Sequence, residues 1–256
     1  MRNPLPPSEF ILNHLQLAPL SQQAFASPLI RSQHRAIRHW LTRRRTTANS
    51  SPLQHIQGLL QAFTHLCDLQ EWSIASKLLT LRLNTPTQED LDHQLGTWGY
   101  FSIQQTLYEN LLPHAQPNIQ PALLTGLGNV HASLSQYNKA LNYHQKSLLL
   151  ARSLGDTQAE ETALGNLGGL LYNVGKYEAA TAAHQRQLAI AQAHKNQLGE
   201  SHALTNLGLI FQAQGNLTQA IDHHQRSLSI AQTKQTPIYQ QAVSIALNNL
   251  GIAHFS

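Results

Sequence analysis

The sequence predicts an all-α protein assembled from stacked helix pairs. Three observations carry that expectation. Asn-Leu-Gly stands at 166–168, 206–208 and 249–251, with Gly-Leu-Gly-Asn-Val at 126–130 as a close variant. Aligned on Gly128, Gly168, Gly208 and Gly251, the units are spaced by 40, 40 and 43 residues. Agreement then runs past the glycine: Ala140, Ala180 and Ala220 follow it by twelve residues, His144, His184 and His224 by sixteen, and Leu148, Leu188 and Leu228 by twenty. Such self-similarity at a fixed period is the mark of a repeat architecture.

Each unit divides into two helices. Leu164, Leu167, Gly168 and Leu171 occupy one helical face at i, i+3, i+4, i+7, and Ala180, His184, Leu188 and Ala191 share another at i, i+4, i+8, i+11. Gly175, matched by Gly215, breaks the chain between them. Gly168 and Ala180 are expected to face each other, because two small residues let helices approach closely.

The Leu-Gly pair, the second-helix alanine and the aromatic at the turn (Tyr137 and Tyr177, with Leu217 in the third unit) resemble the tetratricopeptide repeat. The 40-residue spacing is similar to the longer variant in kinesin light chains and Leu-Gly-Asn repeat adaptors. The resemblance implies a right-handed helix-turn-helix solenoid that acts as a non-enzymatic scaffold and holds peptides along an asparagine ladder. It covers residues 122–256, with the last unit incomplete. Upstream, 58–83 and 87–112 fit degenerate units, with Trp72 and Gly99 at turns and Thr87 as a helix cap. The expected organisation is a basic segment at 1–51, partly helical or disordered, degenerate helical repeats at 52–121, and tetratricopeptide repeats at 122–256.

Composition excludes little else. Of 256 residues, 41% are hydrophobic and 12% charged, which suits a folded chain. A lone cysteine, Cys67, rules out an intrachain disulfide, no apolar run approaches the roughly 18 residues of a membrane span, and the start lacks signal-peptide features. Cytoplasmic residence is expected. The net charge of +4 is uneven, with +6 over residues 1–50 and −2 over 51–256.

The amides locate the expected binding face. Asn166, Asn206 and Asn249 each precede a core leucine by one residue, which turns them toward the concave surface lined by the first helices. A side-chain amide offers two donors and an acceptor, so a row of them can grip an extended backbone whatever its side chains. Asn129 sits three positions later in its own unit, with Gly126 in the ladder position. Tyr172, Asn173, Thr205, Gln212 and Asn248 complete the candidate peptide-binding set. No cluster of Lys or Arg appears on that face, which speaks against a clamp for acidic tails.

No other chemistry stands out. The fifteen histidines include no i, i+4 pair, there is no Cys-x-x-Cys, and no nucleophile elbow or phosphate loop occurs, so no metal, cofactor or active site is expected. His144, His184 and His224 are expected in the core, each with one ring nitrogen hydrogen-bonded. The stretch 30–45 places Ile30, Ile37, Trp40 and Leu41 on one side of a helix, with Arg31, Arg35 and Arg38 around it and Arg43, Arg44 and Arg45 at its end. It suits either a cover for the first end of the array or a polyanion contact, although nucleic acid is not the expected partner. A further alternative is the sensor module of a multidomain signalling ATPase. Leu247, Leu250, Ile252 and Phe255 give the last helix apolar residues on more than one side, which predicts either self-association through that end or a chain that is the front of a longer array.

Overall fold

The computed structural model describes residues 4–17, 27–42, 50–233 and 236–255. Thirteen α-helices and no strands occur among these residues, apart from an isolated antiparallel bridge between Arg82 and Asp90. The chain divides into two compact units, residues 1–116 and 117–256.

The first unit holds α1 (Ser8–His14), α2 (Pro28–Thr42), α3 (Pro52–Asp68), α4 (Trp72–Leu79), α5 (Leu91–Thr97) and α6 (Phe101–Leu111). Helix α3 begins with a full capping box: Ser51 accepts from the Gln54 amide while Gln54 Oε1 accepts from the Ser51 amide at 2.8 Å. Helix α2 lies so close to α3 that a β-carbon on Gly58 would collide with the Trp40 carbonyl oxygen. Ile37 and Leu41 on α2 are buried, whereas Ile30, expected on the same side, is exposed. Thr87 does not cap a helix. Asp90 precedes α5, and the Thr87 hydroxyl instead reaches Gln94 Oε1 at 2.9 Å. Trp72 stacks on His114 with ring centroids 4.0 Å apart.

The second unit is the repeat solenoid: α7 (Gln120–Ser133) with α8 (Tyr137–Leu154), α9 (Thr157–Asn173) with α10 (Tyr177–Ala193), α11 (Gln197–Ala213) with α12 (Leu217–Ala231), and α13 (Pro237–Phe255). Asp156 caps α9 by accepting from the Ala159 amide, and Asn196 caps α11 from the Gly199 amide. Gly175 and Gly215 take positive φ at the turns, where a side chain would be strained. Leu148, Leu164, Leu167, Ala183 and Ile190 form one continuous core across α8, α9 and α10.

The glycine column meets a different partner from the one expected. Ala180 is fully buried, but the group facing Gly168 is the His184 ring one turn later, and Gly128 meets His144 and Gly208 meets His224 in the same way. A helix crossing decides which turn of the partner lies opposite a gap, and here the gap receives a flat ring. The expected hydrogen bond holds for His184, whose Nδ1 lies 2.9 Å from Gln187 Oε1. It fails for His224, where both ring nitrogens are buried without a partner, and the Nδ1 of His144 is likewise unpaired.

Candidate functional site

The first helices of successive repeats, α9, α11 and α13, share one face of the second unit, and a cavity of about 520 Å³ opens there. Asn166 on α9 and Asn206 on α11, one repeat apart, both line it, together with Thr205. Both asparagines are half-buried, so their amides are held at the wall while remaining reachable. Thr205 spends its hydroxyl on Ser227, at 2.8 Å.

The remaining expected residues lie elsewhere. Asn249 is buried, with its Nδ2 unpaired, and is not part of the cavity wall. Asn129, Asn173 and Asn248 are exposed and also outside it. Tyr172 tilts against Tyr177 at the repeat turn with centroids 5.8 Å apart, and the Gln212 Oε1 is buried without a partner. Of the arginines, Arg38 donates to the Leu17 carbonyl at 3.0 Å, Arg35 is exposed and Arg31 is half-buried. Arg43, Arg44 and Arg45 lie outside the described residues.

Several cavity residues were not anticipated. Gln158, Glu161 and Gly165 come from α9, Gln187 from α10, and Asn196, Gly199 and His202 from the start of α11. Glu161 is almost wholly buried, and its Oε1 accepts from Asn196 Nδ2 at 2.8 Å across the junction between repeats. The neighbouring Glu160 points the other way and pairs with Arg152 at 2.9 Å and Arg186 at 3.5 Å. Burial holds the His202 imidazole below its ordinary range, against an opposing pull from Glu161. A signal for this set was present in the aligned repeats: in the column Pro121, Glu161, Ser201 only the middle unit carries a charge.

No group of three or more His, Cys, Asp or Glu suited to a metal ion occurs among the described residues, and no described helix is long and apolar enough to cross a membrane.

A tetratricopeptide-repeat family model matches residues 120–193 and 159–233. Residues 120–233 carry tetratricopeptide repeats. Arrays of this family act as scaffolds for protein–protein interaction, and that coarse role extends to this chain. G-protein-signaling modulator 1 of Homo sapiens is 44% identical over 45 residues, which is 18% of this chain and 7% of that relative. The match therefore spans a small part of the relative's length. Among solved structures, aspartyl phosphate phosphatase F from Bacillus subtilis aligns over 93% of this chain and 64% of its own, with a TM-score of 0.63 and 13% identity. BtubC from P. vanneervenii aligns over 93% of this chain and 84% of its own, with a TM-score of 0.60 and 18% identity. At such identities these structures share the fold with the repeat array and nothing narrower.

Proposed function

We infer that the repeat array binds an extended segment of a partner protein in the cavity lined by α9, α11 and α13, without catalysing a reaction on it. The observation that carries this reading is the pair Asn166 and Asn206, equivalent by repeat, half-buried, and lining the same opening of about 520 Å³. Two amides in register can hold N–H and C=O groups of a strand-like peptide, and Leu209, Ala242 and Ile245 supply apolar wall beside them. Neither asparagine has a buried polar atom left unpaired, which supports side chains that are solvated and available.

The test is selection of short random peptides displayed on phage against the intact chain, followed by affinity measurement of the winners on an Asn166→Ala, Asn206→Ala double variant. Each lost amide weakens binding by about 1 kcal/mol, while the thermal melt of the free protein stays near that of the parent. Winners indifferent to both substitutions, or a double variant that unfolds, make the amides braces of the fold and overturn the reading.

A further inference from the structure

One set of interior positions is treated differently in the middle repeat. In the first repeat the hydroxyls of Thr125 and Ser147 lie 2.9 Å apart, and Ser147 donates to the Pro121 carbonyl at 2.8 Å. In the third, Ser227 donates to the Ser201 carbonyl at 2.9 Å and lies 2.8 Å from the Thr205 hydroxyl. Each is a short hydroxyl lock tying the first helix of a repeat to its second. The same positions in the middle repeat hold Glu161, Gly165 and Gln187.

The three changes fit one another. Gln187 lies across the bare Cα of Gly165, its Nε2 2.9 Å from the position of a β-carbon there, so the longer amide needs the missing side chain. Gly199 does the same for Glu161, since a β-carbon on Gly199 would collide with Glu161 Oε1. Glu161, Gly165, Gln187 and Gly199 all line the cavity. Where its neighbours are tied by hydroxyls, the middle repeat lacks that tie and carries a carboxylate instead.

That carboxylate lacks a counter-charge. Glu161 forms no ion pair among the described residues, whereas Glu160 beside it has two arginines. Neither Lys nor Arg lines the cavity, and His202 is held toward its neutral form. The Asn196 amide and the first turn of α11 steady Glu161 without neutralising it. A negative charge on a carboxylate as buried as Glu161 attracts a cation more strongly than it would in open solvent.

We propose that the cavity selects a peptide segment bearing an arginine or lysine, whose cationic head meets Glu161 while the flanking backbone lies along Asn166 and Asn206. The planar guanidinium fits better, because it pairs with a carboxylate through two parallel hydrogen bonds. The proposal rests on the groove reading above and adds the chemistry of the occupant.

The phage-displayed random peptides distinguish the two. The expected result is enrichment of Arg or Lys at one fixed position. Binding of the resynthesised winner then falls about tenfold on Glu161→Gln, and by a similar factor when the basic residue of the peptide becomes Gln, with little further loss when both are changed. Glu161→Gln keeps the shape and the contact to Asn196, so its thermal melt stays close to the parent. A second variant, Gly165→Thr with Gln187→Ser, rebuilds the lock that the flanking repeats already contain, and it should fold and lose the selected peptide. Winners without a basic residue, or unaffected by Glu161→Gln yet weakened by Asn166→Ala and Asn206→Ala, overturn the cation site and leave the groove standing. Winners indifferent to all of these changes, or no enriched sequence, overturn both.

Discussion

His184 packs its ring against the bare Cα of Gly168, with Nε2 2.6 Å from the position a β-carbon would take. The same pairing recurs between Gly128 and His144 and between Gly208 and His224, so the glycine and the histidine of each unit form one device. The glycine supplies a gap and the ring fills it, which sets the approach of the two helices.

Gly168→Ala should therefore destabilise the array. His184 is fully buried, and its ring is tied through Nδ1 to Gln187. Overpacking of this kind costs about 1 to 3 kcal/mol, read as a lower denaturant midpoint, and Gly168→Leu should cost more. A midpoint unchanged by either substitution would refute the pairing.

Acid should weaken the same column. Burial holds His144 and His224 at about 4 and lowers His184 as well, whereas a free imidazole titrates near 6.5. Between those values the unfolded chain binds the protons that the folded chain refuses, so stability is complete above about pH 6.5 and is withdrawn as pH falls toward about 4. Denaturant midpoints measured from pH 7.5 to 4.5 should show this decline. His224→Phe removes a titrating ring, so it should flatten the slope of that decline whatever it does to stability at pH 7.5.

The hydroxyl lock of the third repeat gives a second stability test. Ser227 is fully buried and joins the Ser201 carbonyl and the Thr205 hydroxyl at once. Ser227→Ala leaves both groups short of a partner and should cost about 1 to 3 kcal/mol in chemical denaturation. Loss of less than a few tenths would show that the bonds are made as well by solvent.

The fold was legible in the sequence because the same requirement returns every 40 residues: two apolar stripes, a gap and a turn residue. Gly175 and Gly215 were readable as breaks for this reason, and both take a left-handed backbone there. The Gly168 to His184 contact was not, since Ala180 and His184 lie on one face of α10 and only the helix crossing decides between them. The candidate site was half legible. Asn166 and Asn206 stand out by repetition, whereas Glu161, Gly165 and Gln187 matter because they break it, and a search for periodicity passes over them. Thr87 carried a capping residue's identity, but its hydroxyl went to Gln94, a competition between local and tertiary partners that composition does not resolve.

Helix α13 supplies the last test. Gly251 occupies the repeat position of Gly128, Gly168 and Gly208, yet among the described residues nothing lies within 4 Å of where its β-carbon would sit. Gly251→Ala should accordingly leave the melt unchanged or raise it slightly, since alanine favours the helix by about 1 kcal/mol over glycine and meets no ring here. On the same helix Leu247 is 52% and Ile252 48% exposed, while the Phe255 side chain lies outside the described ones. Apolar side chains flanking an unfilled gap form a surface that a further helix can cover, and a second copy of this chain is one source of such a helix. Light scattering from low to high micromolar concentration should show association that Leu247→Glu with Ile252→Glu abolishes. A parent chain that stays monomeric throughout that range, with no binding of a hydrophobic dye, would show that the surface is already satisfied, and the contrast between Gly251→Ala and Gly168→Ala would then stand as the only consequence of the open gap.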